Sequence, residues 1–239
     1  MSPTPLIALP GTLLEGRSLT AMLDGAATEV SILGEAACLD EEVDRLAART
    51  TVPAIWLGHS LGGIVALHLA QRHPTLVVAL VLLAGNARAG RDTNEERRAT
   101  QWSIAQSKGL AALARQELAP SYGLSPDRVA DEAWTASLAA QAEAVGMRRF
   151  EHQLGYARER PGLLAPLKQL KCPVLALSAE LDALCSPAQS DELLTLVLPP
   201  CRATHHTLAG AGHLFPMQQP HWAAEHLRSF LTSLEASTL

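Results

Sequence analysis

The sequence predicts an α/β fold, a doubly wound and mostly parallel sheet of about six strands with helices on both faces and a helical insertion. Three observations predict it. Six short apolar runs, bounded by Pro, Gly or polar residues, recur along the chain: Pro5–Leu9, Glu29–Leu33, Ala54–Gly58, Val77–Gly85, Pro173–Ala179 and Ala203–Leu208. Most are nearly continuous in Leu, Ile, Val and Ala, as in strands covered on both faces. Helical periodicities lie between them, and alternating strands and helices are the pattern of a parallel sheet. The length, 239 residues, is ample for one such sheet and its helices.

After the first two strands, Leu39, Val43, Leu46 and Ala47 form one helix face, with Asp40, Glu41, Glu42 and Arg45 around it. The third strand runs into a mostly apolar helix over 61–72, as expected of a helix packed deep against a sheet. The segment 87–165 then breaks the alternation. It contains no convincing strand and has helical stretches around 94–107, 109–119 and 126–146, the last opened by Ser125-Pro126. It reads as a helical cap inserted into a core made of residues 1–86 and 166–239. After the fifth strand, Ser186-Pro187-Ala188-Gln189 fits a capping box with proline at the first helical position, and the helix should reach about Leu196. Ala223, Leu227, Phe230, Leu231 and Leu234 mark the last helix.

Composition excludes several classes. Hydrophobic residues are 48% and charged residues 18% of the chain, which is globular and not disordered. The net charge is −5 and no basic stripe stands out, so no nucleic-acid partner is expected. No basic leader precedes the short run Leu6–Leu9, and no stretch of about 18 apolar residues exists. No membrane span is expected, and the chain reads as cytoplasmic. Cys38, Cys172, Cys185 and Cys201 form no CxxC pair and read as buried, reduced thiols.

The sharpest motif is Gly58-His59-Ser60-Leu61-Gly62-Gly63, a G-x-S-x-G pattern between a strand and a helix. A serine at such a turn sits in a strained backbone, and flanking glycines let segments pass without a Cβ clash. The following helix aims its N-terminus at Ser60 and favours developing negative charge there. A serine hydroxyl needs a base. Of nine histidines, His213 stands out, in the glycine-rich loop Ala209-Gly210-Ala211-Gly212-His213-Leu214-Phe215-Pro216 between the last strand and the last helix. His205 and His206 are adjacent in a strand and should point to opposite faces. His68 lies within a helix, His73 precedes Pro74, and the side chain of His59 should diverge from Ser60. Histidine spacing supports no metal site. The carboxylate should follow a strand, and Glu180-Leu181-Asp182 follows the fifth. Asp182 is preferred over Glu180, which should still be at the strand end. The order Ser60, Asp182, His213 suits this fold, and an ionised Asp182 would hold the imidazole in the right tautomer. The oxyanion donors expected are the amides of Leu61 and Thr12, with Leu13 in reserve.

Together, Pro10-Gly11-Thr12, Gly58–Gly63, Glu180-Leu181-Asp182 and Gly212-His213 resemble the α/β-hydrolase superfamily. Within it the chain looks like compact bacterial carboxylesterases of the pimeloyl methyl ester esterase kind. The resemblance implies the α/β-hydrolase fold and hydrolysis of a small-molecule ester or related acyl substrate through an acyl-enzyme, with neither metal nor organic cofactor. Two departures stand out. Pro10-Gly11 replaces the His-Gly of many members, and the two antiparallel strands that open many members are not expected here, where the first apolar run is already the oxyanion strand. Serine at position 60 disfavours the dehalogenases of the superfamily, which carry aspartate there.

Specificity is expected from the cap. Trp102, Tyr122, Trp134, Phe150 and Tyr156 lie in it, although cap aromatics ordinarily form the cap's own core. Arg148, Arg149, Arg158 and Arg160 are candidates to attract an acidic acyl group, although a charged helix face ordinarily meets solvent. Leu13, His59, Leu214 and Phe215 are expected at the substrate by their position beside the motif residues. The same residues also allow a thioesterase, a lactonase, a C–C hydrolase, or a ligand sensor that does no chemistry.

Overall fold

The structure, a computed structural model, describes residues 4–26, 29–90, 95–119, 131–164, 170–195, 197 and 199–236. Its six strands are β1 (Leu6–Leu9), β2 (Glu29–Val30), β3 (Ala54–His59), β4 (Val77–Leu83), β5 (Val174–Ala179) and β6 (Ala203–Leu208). They form one sheet in the order β2-β1-β3-β4-β5-β6, and every pair is parallel. From β1 the chain steps out to β2, returns across β1 to β3, and continues in one direction to β6. That reversal puts the carboxyl ends of β1 and β3 side by side, with Leu9 opposite Gly58. Open α/β sheets bind ligands at such a switch point.

Alternation along the strands sorts their side chains onto two faces. Ile7, Leu9, Trp56, Leu80, Leu82 and Val174 pack with α2 (Leu39–Arg49) and α3 (Leu61–Arg72). Leu6, Ala8, Ile55, Leu57, Val81 and Leu177 pack on the opposite side with α1 (Arg17–Leu23) and the C-terminal helix Pro220–Ala236. Apolar residues fill both faces of the central strands, which is why those strands read as unbroken apolar runs.

Between β4 and β5 come α4 (Glu95–Lys108), α5 (Leu110–Leu113) running into a π turn at Ala114–Leu118, α6 (Glu132–Val145) and α7 (Met147–Glu159). Ser125-Pro126 and Tyr122 lie outside the described residues. The expectation of three helical stretches omits α7 as a helix of its own. Its inward face is Phe150, Gln153 and Tyr156, and the buried glutamine interrupts the apolar period that would have revealed it. A third cluster, built on Leu110, Leu113, Leu138, Ala142 and Phe150, also takes in Leu13, Leu14 and Leu214 from loops at the carboxyl edge of the sheet.

The remaining helices are α8 (Pro187–Leu194), α9 (Phe215–Gln218) and α10 (Pro220–Ala236). Two local expectations differ from what is observed. The run Glu29–Leu33 contributes only two strand residues, because β2 is an edge that pairs with β1 alone. Leu33 instead turns inward and is buried beside α3 and α2. Ser186 precedes α8 without a side-chain capping bond, so the predicted capping box is not formed. Proline at the first position and the backbone bond from Gln189 N to Ser186 O start the helix instead. No helix among the described residues is long and apolar enough to cross a membrane. All four cysteines are free, with Cys172 and Cys185 buried and Cys38 and Cys201 half-buried.

Candidate active site

Ser60 is the residue between β3 and α3, and its backbone has φ 52° and ψ −112°. Such a conformation costs a side-chain-bearing residue roughly 1–3 kcal/mol and persists only where its surroundings enforce it. The Ser60 amide donates to Leu83 O of β4 at 2.8 Å, and its carbonyl accepts from the amides of Gly63 and Ile64. The flanking glycines are required by space. A Cβ on Gly62 would lie 2.1 Å from Leu9 O, and one on Gly58 would lie 2.3 Å from the Gly62 backbone. Leu61 opens α3, so its amide faces outward with no acceptor inside the helix.

His213 arrives from the loop after β6. Its Nε2 lies 2.8 Å from Ser60 Oγ, across 153 residues of sequence, and its Nδ1 lies 2.8 Å from Asp182 Oδ2. Ser60 is half-buried, whereas His213 and Asp182 are buried. Asp182 Oδ1 accepts from the amides of Leu184 and Cys185 at 2.8 and 2.9 Å. Burial pushes its carboxyl up, but the facing His213 and these hydrogen bonds outweigh that, and the net shift is downward. Glu180, the competing carboxylate, is turned away and accepts from Gly210 N.

The loop after β1 closes the third side. Leu13 has φ 58°, and its amide donates to Gln153 Oε1 of α7 at 2.9 Å. Leu14 N donates to Gly11 O. The reserve donor, Leu13, is therefore occupied, while Thr12 faces the same cavity as Ser60 and Leu61. That cavity, about 100 Å³, is also walled by Ile64, Asn86, Arg97, Arg98, Gln101, Leu154, Ala157, Arg160, Leu184 and Cys185.

The structure does not bring the other expected substrate contacts to this wall. Leu13 and Leu214 are buried in the cluster beneath the helical insertion, and Phe215 is buried against Trp222. His59 is buried behind the elbow, where its Nε2 donates to His213 O at 2.9 Å. Burial, then the neighbouring His213, lowers its pKa to about 3, so its ring is neutral. Its contact is with the loop that carries His213. Among the arginines, Arg149 is held by Glu35 at 2.6 Å, Arg148 lies 3.8 Å from the same carboxylate, and Arg158 pairs with Glu159. Only Arg160 of the four reaches the cavity. Trp102, Trp134 and Phe150 pack in the insertion's own core and Tyr156 in the main one. Asn86, Arg97, Arg98, Gln101 and Gln153 were not singled out from the sequence. A polar residue at an inward helical position, as at Gln101 and Gln153, was the available signal.

Two other clusters invite comparison. Ser178 Oγ, His205 and Asp191 are linked at 2.7 and 2.7 Å, the same residue types in the same order. Ser178, however, is fully buried within β5 and shares its hydroxyl with Thr207, so no substrate reaches it. His206 points to the other face and stacks on His226. Among the described residues, Asp182, Cys185 and His213 bring potential metal-ligand atoms within 4.8 Å of one another. His213 Nδ1 and Asp182 Oδ2 are already bonded to each other at 2.8 Å, and Asn86 donates to the Cys185 sulfur.

The family described as "Alpha/beta hydrolase family" matches residues 6–226. The pimeloyl-[acyl-carrier protein] methyl ester esterase of Xanthomonas oryzae pv. oryzae is 28% identical over 198 residues, covering 78% of this chain and 74% of that protein. The protein of the same name from Chromobacterium violaceum is 42% identical over 89 residues, covering 37% of this chain and 32% of that protein. Among solved structures, a thermophilic esterase from Thermogutta terrifontis aligns with a TM-score of 0.82 at 21% identity, over 97% of this chain and 90% of that one. The enol-lactonase from Burkholderia xenovorans aligns with a TM-score of 0.77 at 19% identity, over 97% and 92% of the two chains. At such identities the structural likeness speaks for the fold alone.

Proposed function

The chain belongs to the alpha/beta hydrolase family, and from that premise we propose that it is a serine hydrolase cleaving a small-molecule carboxylic ester through an acyl-enzyme. The observation that carries the reading is the unbroken relay from Ser60 through His213 to Asp182, with both links at 2.8 Å, assembled from three separate loops.

In this mechanism Ser60 Oγ gives its proton to His213 Nε2 and attacks the ester carbonyl. The amides of Leu61 and Thr12 hold the oxyanion. Asp182 keeps Nδ1 protonated, so that Nε2 is free to accept, and it stabilises the imidazolium. His213 then returns the proton to the departing alcohol, and a water activated the same way releases the acid. Groups of the chain and water carry every proton in the cycle. Residues 87–165 act as the cap over a core of 1–86 and 166–239, because α4 and α7 supply one wall of the cavity. The name of the Xanthomonas relative, a methyl ester esterase, supports a carboxylic ester over a thioester, lactone or C–C bond.

Ser60→Ala should lower kcat on short-chain esters by roughly a million-fold, to the residual level left when a nucleophile is removed from such a relay. A fluorophosphonate should label the parent protein at Ser60 and leave the variant unlabelled. Retained hydrolysis in Ser60→Ala would remove Ser60 from the chemistry. Absence of labelling in the folded parent would favour a ligand sensor.

A further inference from the structure

Resting on the reading of Ser60 as nucleophile, we infer that the cavity beside it binds an anion, so that the substrate is an ester bearing a second, ionised carboxylate, such as the half-ester of a short dicarboxylic acid. Three of the side chains that line the cavity with Ser60, Leu61 and Thr12 are arginines: Arg97 and Arg98 from α4, and Arg160 just beyond α7. Asn86 and Gln101 add neutral hydrogen-bonding groups. Among the described residues, no aspartate or glutamate lines it.

Arg160 is built in rather than displayed. It is 6% exposed, and hydrogen bonds to described residues help to aim its guanidinium: Nε to Arg88 O, Nη1 to Ala157 O and Nη2 to Asn86 Oδ1. Burial lowers its pKa to about 10, with the charge of Arg98 acting in the same direction, so at neutral pH it stays a cation. Arg98 spends Nη2 on Gly90 O at 2.8 Å and Glu95 Oε2 at 3.1 Å. Its Nε is buried and meets no acceptor among the described residues. Glu95, itself mostly exposed, offsets the charge of Arg98 only in part, and an anion between the two guanidinium groups would relieve the repulsion that remains, since carboxylates match their donors.

The size of the cavity narrows the ligand further. The cavity's volume of about 100 Å³ suits a short chain between ester and carboxylate. A half-ester would offer its neutral carbonyl to Ser60 and its carboxylate to Arg98 and Arg160. Hydrolysis would add one water, releasing the alcohol, a second carboxylate and its proton.

The test compares monomethyl and dimethyl succinate as substrates of the parent protein. A charge-assisted contact of this kind should favour the half-ester in kcat/KM by roughly 10- to 100-fold. Arg98→Gln should bring that ratio towards one, chiefly through KM, and Arg98→Lys should keep part of it. Ser60→Ala, titrated calorimetrically with monomethyl succinate, should bind it more tightly than the diester. Equal kcat/KM for the two esters in the parent protein overturns the anion site and leaves the esterase reading standing. Hydrolysis of neither ester, with tighter binding of the half-ester by Ser60→Ala, overturns the esterase reading and supports the anion site. Neither preferential binding nor preferential hydrolysis removes the inference altogether.

Discussion

At position 60 a serine holds a backbone geometry that glycine would adopt more cheaply, and the residues around it explain how. Gly58 and Gly62 leave room for β1 and the first turn of α3 to press on either side. Ser60 is thereby lifted off the sheet towards His213. His59 completes the arrangement from behind, since its neutral ring ties the elbow to the His213 carbonyl over 154 residues. In the proposed reaction it would act on His213 through position, not by touching substrate. His59→Leu should therefore lower kcat about 10- to 100-fold, the scale of a small misplacement of a reacting group, with KM little changed. His59→Gln, which keeps a donor, should recover part of the loss. The pH–rate profile should keep its shape between pH 5 and 8, because burial lowers the His59 pKa to about 3 and its ring is neutral throughout that range. An altered profile in steady-state kinetics would mean that His59 takes part in proton transfer.

Among the elements, α3 carries the clearest tension between burial and charge. It is buried along nearly its whole length, and His68 sits within it with Nε2 unpartnered among the described residues. Burial lowers the pKa of His68 from 6.5 to about 4. Above pH 6.5 the ring is neutral in folded and unfolded chains alike, and stability is unaffected. Between pH 6.5 and about 4 the unfolded chain takes up a proton that the folded chain refuses, so stability falls as pH falls. Below about pH 4 the effect levels off. Urea unfolding at pH 7 and pH 4 should show that His68→Leu escapes about 3 kcal/mol of the acid destabilisation suffered by the parent protein. Identical losses in both proteins would mean that His68 is protonated in the folded state. The same scale explains β2 and α8. An edge strand is held from one side and ends early, and a helix started by proline and a backbone bond does without its predicted cap.

Over the whole molecule, the helical insertion and the sheet are joined through the loops that carry the candidate chemistry. Leu13, Leu14 and Leu214 belong to the insertion's apolar cluster. Gln153 of α7 is fully buried, accepts from Leu13 N, and donates to Leu33 O. One glutamine thus links the loop after β1, the insertion and the segment after β2. Replacing it with leucine leaves the Leu13 amide buried and unpaired, a cost of about 1–3 kcal/mol, and frees the turn that presents Thr12. Gln153→Leu should melt several degrees lower and lose about tenfold or more in kcat. Gln153→Glu keeps an acceptor oxygen for Leu13 but loses the donor to Leu33 O, so it should restore only part of kcat. Parent-like kcat in Gln153→Leu would separate the insertion from the proposed oxyanion loop.

Local patterns made the architecture legible. Unbroken apolar runs come from strands covered on both faces, and glycines at 58 and 62 come from backbones in contact, so both leave a trace within a few residues. Ser60, Asp182 and His213 were readable as candidates for the same reason, each lying in a turn that directly follows a strand. The sequence was silent wherever a role depends on what a side chain meets far along the chain. It did not distinguish Arg160, turned into the cavity, from Arg149, spent on Glu35, or reveal that Gln153 holds the Leu13 amide. Partners separated by more than 100 residues are chosen by how layers pack. That choice appears only when the sheet, its two helical layers and the insertion are assembled together.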